Sequence, residues 1–365
     1  SDESAVAAAT ELIEEDGVDL ILGPLLADSV RAVAPTARAA GVPLIAFSND
    51  RAVASDGVYV LGFAPQEQVH RVMGFARARG FASFAALVPL SEYGQLMAQS
   101  TADSAAALGV AMADAAFYPN DPGDTTGRTE EVRALADYER RQKALEDQRH
   151  ELAARDDEIS RRTLKRLEII DTLGDVGFDA LVLPVGGTAV RELAPLLAFF
   201  DVDPARVKLL GTWLWDDPTL GREPTLVGAW FAAPPPVVRE SFVARFESVY
   251  ARAPSRLATL GYDAVALAAV LAGRAEAEQA DAAESANAAA PPAAAPAVSK
   301  PPAPPPGSPY TVEALTSPNG FAGMDGIFRL MPDGRTERGL AVLEIRPDGL
   351  VTVDPAPQSF EAIVN

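Results

Sequence analysis

Side chains able to attack, ligate or shuttle protons are scarce in this chain. It has no cysteine and only two histidines in 365 residues. That removes thiolate nucleophiles, disulfides and cysteine-ligated metal. His70 and His150 each fall on a predicted helix among charged neighbours, and neither stands at a strand end where a metal partner or a serine could meet it. Both read as surface residues. Asp216-Asp217 is a carboxylate pair, but Trp-Asp-Asp-Pro is also the pattern of a helix cap and turn. Gly186-Gly187 follows a predicted strand and precedes a helix, a place that can cradle an anion. Without a Walker lysine or a G-x-G-x-x-G pattern beside it, the pair reads as a turn. No nucleophile–base pair assembles, so the expectation is a protein without catalysis, cofactor or metal.

The elements that must position any ligand are clearest in residues 17–50. Val18 to Leu22 is an apolar run of the kind buried on both sheet faces, stopped by Gly23-Pro24. Asp28 or Ser29 can cap the helix that follows, whose Val30, Val33, Ala34, Ala37 and Ala40 form one apolar face before Gly41 closes it. Val42 to Phe47 is a second buried-type strand, ending in Ser48-Asn49-Asp50. Strand, helix and strand with short loops is a right-handed βαβ unit of a parallel sheet. Such sheets bind ligands at the loops after the carboxyl ends of their strands, here Gly23 to Ser29 and Ser48 to Arg51.

This stretch resembles the second βαβ step of type I periplasmic binding proteins, the family of leucine/isoleucine/valine receptors, and is most similar to its penicillin-binding protein activator branch. The resemblance continues in order through Gly62-Phe63, Ser91-Glu92-Tyr93-Gly94, Phe178 to Pro184, Leu210-Gly211-Thr212-Trp213 and Trp230-Phe231-Ala232-Ala233-Pro234. It ends with Gly261-Tyr262-Asp263-Ala264-Val265 and Asn319-Gly320-Phe321-Ala322-Gly323. It implies an α/β fold of two doubly wound, Rossmann-like lobes with a cleft between them. Lobe one would hold 1–64 and 255–325, and lobe two 65–254 and 326–365, joined by three crossings. The family's receptors hold a ligand carboxylate with hydroxyls and amides at first-lobe helix starts, which implies Ser29, Ser48 and Asn49 as ligand-binding residues. Asp28 departs from that pattern, since a carboxylate there repels another and competes for the same amides. Tyr93 and Trp215 are further cleft candidates. Asp263 lies on a helix that the family buries, which implies a structural role.

Two segments stand outside the resemblance. Residues 127–173 are densely charged, with Tyr138, Leu145, Leu152 and Ile159 at seven-residue spacing, too thin for a coiled-coil seam. One helix of that length would run roughly 65–70 Å, so a break is expected near Ala153 to Asp157. Leu164, Leu167, Ile170 and Leu173 should then pack on the sheet. Leu135, Tyr138, Arg141 and Leu145 form a stripe that would face a partner protein. Residues 274–309 are rich in Ala, Pro and Glu with almost no large apolar side chain, which predicts a disordered loop.

The net charge of −20 argues against nucleic acid and anionic membrane surfaces as partners. No uninterrupted apolar run reaches the length of a membrane span. The chain opens inside a helix pattern, and the resemblance implies an earlier strand–helix–strand unit, so it reads as truncated at its N-terminus. The periplasm is the location implied, with a tether to the outer membrane if the full-length chain carries a lipid anchor. The first function expected is a regulator that activates a penicillin-binding protein in peptidoglycan synthesis. It rests on the branch resembled, the helical insert and the compromised carboxylate site. The alternative is the solute receptor of an ABC transporter for an amino acid or related small molecule, held in the interlobe cleft.

Overall fold

The computed structural model describes residues 2–155, 157–286 and 307–360. Among them, unit 1 draws on Ser1–Ala64, Pro234–Gly339 and Ala356–Asn365, and unit 2 on Pro65–Ala233 and Leu340–Pro355. The first crossing follows Ala64. The second comes after Ala233, earlier than the expected 254, and the third after Gly339, later than the expected 325. A fourth, unexpected crossing follows Pro355. The tail splits because only its last two strands add to the unit 2 sheet, while the three before them pack on unit 1.

Unit 1 begins with helix α1 (Asp2–Glu14), strand β1 (Ile21–Leu22), helix α2 (Ala27–Ala40) and strands β2 (Leu44–Ala46) and β3 (Val58–Val60). The strands form a parallel sheet in the order β1-β2-β3, with Ile21 opposite Leu44 and Leu44 opposite Val58. The apolar face of α2 (Val30, Val33, Ala34, Ala37) is buried, and Gly41 ends the helix at φ 69°. The regular ladders are shorter than the apolar runs: past the end of β3, Leu61 donates one more hydrogen bond to the Ala46 carbonyl at 2.8 Å, and Phe63 is buried beyond it. Helix α2 also starts one residue ahead of the expected caps. Its N-cap is Leu26, with no side-chain hydrogen bond. Asp28 instead pairs with Arg31 at 2.6 Å, and the Ser29 hydroxyl donates to Asp2 Oδ1 at 3.0 Å.

Unit 2 follows with α3 (Pro65–Ala78), β4 (Ser83–Pro89), α4 (Glu92–Leu108), β5 (Ala111–Tyr118), α5 (Thr125–Leu135), α6 (Tyr138–Ala153) and α7 (Glu158–Leu167). After these come β6 (Ala180–Val182), α8 (Gly187–Phe199), β7 (Lys208–Gly211) and β8 (Trp230–Ala233). Proline-led α3 buries Val69, Val72, Met73 and Ala76, as its spacing predicts. The expected break after Ala153 separates α6 from α7. A second one at Ala136-Asp137, with Asp137 at φ 48°, separates α5 from α6. The insert packs on itself: Leu145, Leu152 and Leu167 form a buried cluster flanked by Leu164, Ile170 and Leu173.

The chain returns to unit 1 through α9 (Pro236–Tyr250) and α10 (Ala258–Ala286), then α11 (Val312–Leu315) and the antiparallel strands β9 (Phe321–Gly323), β10 (Gly326–Leu330) and β11 (Thr336–Arg338). Helix α10 runs to residue 286, so the first third of the expected loop is helical. Its Ala- and Glu-rich sequence has high intrinsic helix propensity and needs no buried face. Residues 287–306 of that loop lie outside the described residues. Ala258–Ala280 is long and apolar enough to cross a membrane by length and composition. Within it Leu260, Ala264, Leu267 and Leu271 are buried with Ile45, Tyr59 and Phe328, while Tyr262, Val265 and Val270 are exposed, so one face of the helix packs on unit 1. Strands β12 (Ala341–Arg346) and β13 (Gly349–Asp354) complete a seven-stranded unit 2 sheet in the order β13-β12-β8-β7-β6-β4-β5.

Candidate functional site

In unit 1 the carboxyl ends of β1 and β2 open into two loops. The first carries Gly23-Pro24-Leu25-Leu26 into α2, and Leu25 and Leu26 are 48% and 67% exposed. With no side chain capping α2, the amides of its first turn remain available beside these leucines. They carry the partial positive charge of a helix start. The second loop is built by hydrogen bonds. Ser48, buried, accepts from the Asp50 amide at 3.1 Å, and Asp50 accepts from the Ala52 amide at 2.9 Å. Gly62 packs under this loop so closely that a Cβ there would lie 2.0 Å from the Ser48 carbonyl oxygen. Arg31 ties the two loops together, donating to Asp28 and to Asp50 at 2.6 Å each.

The sequence candidates in this unit therefore share one sheet end. Asn49 is exposed, Ser48 is buried with its carbonyl against Gly62, and Ser29 is half-buried with its hydroxyl committed to Asp2. The expected obstruction by Asp28 changes character, since Arg31 neutralises it and its side chain lies outside the cap. Leu25, Leu26 and Arg31 went unremarked in the sequence, although two adjacent leucines between a Gly-Pro stop and a helix start are the signal that could have found them.

In unit 2 the turn after β4 depends on Ser91, which caps α4 by accepting from the Gly94 amide at 3.2 Å. A Cβ at Gly94 would stand 1.8 Å from the Pro89 carbonyl oxygen. Tyr93 is half-buried and donates to the Pro184 carbonyl at 2.8 Å, while burial pushes its phenol up to about 12. Its hydroxyl is thus a brace between the ends of β4 and β6. Trp215 is fully buried, donates Nε1–H to the Val185 carbonyl at 2.7 Å and meets the Phe231 ring edge-on at 6.4 Å. It is a core residue, which corrects its place as a ligand-lining candidate. The Thr212 hydroxyl, which precedes the Trp213–Trp215 turn, and Gln66 Oε1 on α3 are buried without a hydrogen-bond partner among the described residues. Asp217 caps the turn after Trp215 through the Thr219 amide and pairs with Arg191. His70 and His150 are exposed, and the described residues contain no cluster of metal-ligating side chains.

The proposed partner stripe also needs correction. Leu135, Arg141 and Leu145 are buried, and Tyr138 packs edge-on against Phe200 at 5.2 Å. The Arg141 guanidinium donates to the carbonyls of Gly174, Ala136 and Asp201. A stripe this narrow looked unable to bury itself on one helix, but α5, α7 and the return segment close over it.

Known proteins resemble this chain at two levels. A model of the periplasmic binding protein family matches residues 1–137. An uncharacterized protein of Rickettsia prowazekii is 30% identical over 122 residues, a third of this chain and a third of its own length. Solved structures resemble the described fold over nearly its whole length. A protein from Rhodospirillum rubrum, assigned provisionally to a branched-chain amino acid ABC transporter, superposes with a TM-score of 0.68 at 16% identity, covering 97% of this chain and 85% of its own. The fold is that of a type I periplasmic binding protein. The leucine-binding protein of Thermotoga maritima shares it with a TM-score of 0.56 at 15% identity, covering 98% of this chain and 85% of its own. So does a Rhodopseudomonas palustris solute-binding protein in complex with benzoate, with a TM-score of 0.57 at 14% identity, covering 98% and 83%.

Proposed function

We propose that this chain is a non-catalytic, extracytoplasmic solute-binding protein for a small organic molecule with an apolar body, such as an aliphatic or aromatic acid, working with an ABC transporter. The observation that carries the reading is the unit 1 sheet end. There the uncapped first turn of α2 offers amide donors, Leu25 and Leu26 offer exposed apolar surface, and Ser48-Asn49 borders them on the Gly62-buttressed loop. A helix start flanked by leucines suits a carboxylate attached to a hydrocarbon. The same fold in receptors whose names specify leucine and benzoate supports this reading. The burial of Leu135, Arg141 and Leu145 weighs against the penicillin-binding protein activator expected first, because those residues were to face the partner.

A thermal-shift screen against aliphatic amino acids and benzoates tests it. A true ligand at 100 times its dissociation constant stabilises the protein by about 2.7 kcal/mol. Leu26→Asp should abolish that response, and because an aspartate at the α2 N-cap accepts from the first-turn amides it should raise rather than lower the unliganded melting temperature. A flat screen combined with capture of a penicillin-binding protein would return the activator to first place.

A further inference from the structure

Positive charge gathers in one place in this acidic chain. The six residues Arg161-Arg162-Thr163-Leu164-Lys165-Arg166 carry four cations and no carboxylate, and no other six consecutive residues do the same. They lie on α7, which starts at the Asp157 cap, where the side chain accepts from the Ser160 amide at 2.8 Å. Leu164 and Leu167 pack with Leu145 and Leu152 of α6, and Ser160 is buried, so that side of the helix is fixed inward. Arg149 on α6 holds its far end, donating to the Leu167 carbonyl at 2.6 Å and the Ile170 carbonyl at 3.1 Å. The four cations are left exposed on the outer side.

The fold makes no use of these charges. Among the described residues none of the four has a hydrogen bond or ion pair from its side chain. By contrast Arg31, Arg71, Arg128, Arg191 and Arg329 each hold a carboxylate. Arg161 and Lys165, like Arg162 and Arg166, stand four residues apart, where like charges repel and cost the helix stability. Lys165 and Arg166 gain from the carbonyl end of the helix; Arg161 and Arg162, nearer its amide end, do not. The two ends of the run also carry the most exposed large apolar side chains among the described residues. Ile159, in the first turn of α7, is 79% exposed, and Ile169, two residues past its end, is 86% exposed.

We propose that the outer face of α7 docks on an anionic lipid surface, its four cations meeting headgroup phosphates while Ile159 and Ile169 enter the acyl boundary. Charge complementarity names an anionic partner, and the isoleucines favour lipid. Two separate aliphatic side chains suit a fluid layer that needs no pocket matched to either, whereas a protein partner would need both pockets. The net charge of −20 argues against such a surface only for the chain as a whole. At physiological salt exposed charges are screened beyond about 8 Å, so the face turned to the lipid decides. On that stretch the four cations outnumber the two acids, Glu158 and Glu168.

Co-sedimentation of the chain with vesicles tests the proposal, and its failure leaves the proposed function untouched, because the solute site lies on unit 1. Vesicles of phosphatidylglycerol and phosphatidylethanolamine should bind the chain at about 50 mM salt, with a loss of at least about tenfold at about 500 mM. Phosphatidylcholine vesicles should not bind it. Arg161→Gln together with Arg162→Gln should weaken binding about thirtyfold, at about fivefold per cation near the surface. Glutamine keeps the helix propensity, so the melting temperature should hold. Ile159→Gln should weaken binding severalfold with the salt dependence unaltered. Equal binding to phosphatidylcholine overturns the proposal, and so does a double variant that binds as the wild type does. A chain that ignores both kinds of vesicle also overturns it; if polyglutamate then binds and the double variant loses that binding, the face belongs to an acidic protein partner instead.

Discussion

The two units solve the same problem with unequal means. Unit 2 spreads seven strands into one sheet, and β4, β6, β7 and β8 each have a neighbour on both sides. Unit 1 has a parallel sheet of three strands, with β1 only two residues long and hydrogen-bonded on one edge. What unit 1 lacks in ladder it replaces with side chains: α10 laid over Ile45, Tyr59 and Leu61, and an Arg256–Asp325 ion pair beside Phe63. A unit held by a long sheet can commit its strand-end residues to packing, as Trp215 and Tyr93 are committed. In unit 1 the Ser48–Asp50 loop is held by its own hydrogen bonds and by Gly62, while Leu25 and Leu26 stay exposed. On the proposed function, the longer sheet and the binding surface lie in different halves of this chain.

The sharpest way to break the comparison is to cut the unit 2 core at its most buried point. Trp215→Ala removes a fully buried indole and its hydrogen bond, and unit 2 should lose about 3–5 kcal/mol in urea unfolding. A loss under about 1 kcal/mol would return Trp215 to the cleft-lining role expected from sequence. Next in size, Arg141→Ala leaves three carbonyls without their donor and should cost about 3 kcal/mol. An unchanged midpoint would mean the insert is independent of the sheet.

In unit 1 the effects should be smaller and more local. Gly62→Ala drives a methyl into the Ser48 carbonyl. It should cost about 1–3 kcal/mol and lower ligand affinity, because the Ser48–Asp50 loop must shift. The pH response has a definite sign. Burial raises the Asp263 carboxyl to about 6, so the folded chain binds its proton more tightly than the unfolded one does. Its contribution to global stability therefore grows as pH falls through 6 and is complete below the unfolded value. Asp263→Asn should flatten this part of the stability profile; an unaltered profile would remove Asp263 as its source.

Sequence reading succeeded where local rules govern. Strand 83–89 and helix 92–108 are legible because a β-rich apolar run is followed by the Ser91 cap and ended by Gly109. It fell short where burial and pairing part company, as in the long runs around two- and three-residue ladders in unit 1. The kink at Asp137 carries no glycine or proline to announce it, and the fate of Leu145 depends on α7, thirteen residues further on. Ser48 and Asn49 were visible as strand-end residues. The commitment of Trp215 to the core was not, because it comes from Gly211 and Phe231, which reach it only in the folded sheet.

The central claim is that the strand-end loops of unit 1 hold an apolar organic acid. Hydrogen exchange of the chain with and without saturating leucine or benzoate tests it most directly. The account predicts new protection at residues 25–31 and 47–52, with α5 to α7 unaffected. Protection confined to the insert, or none with any acid that shifts the melting temperature, would contradict it.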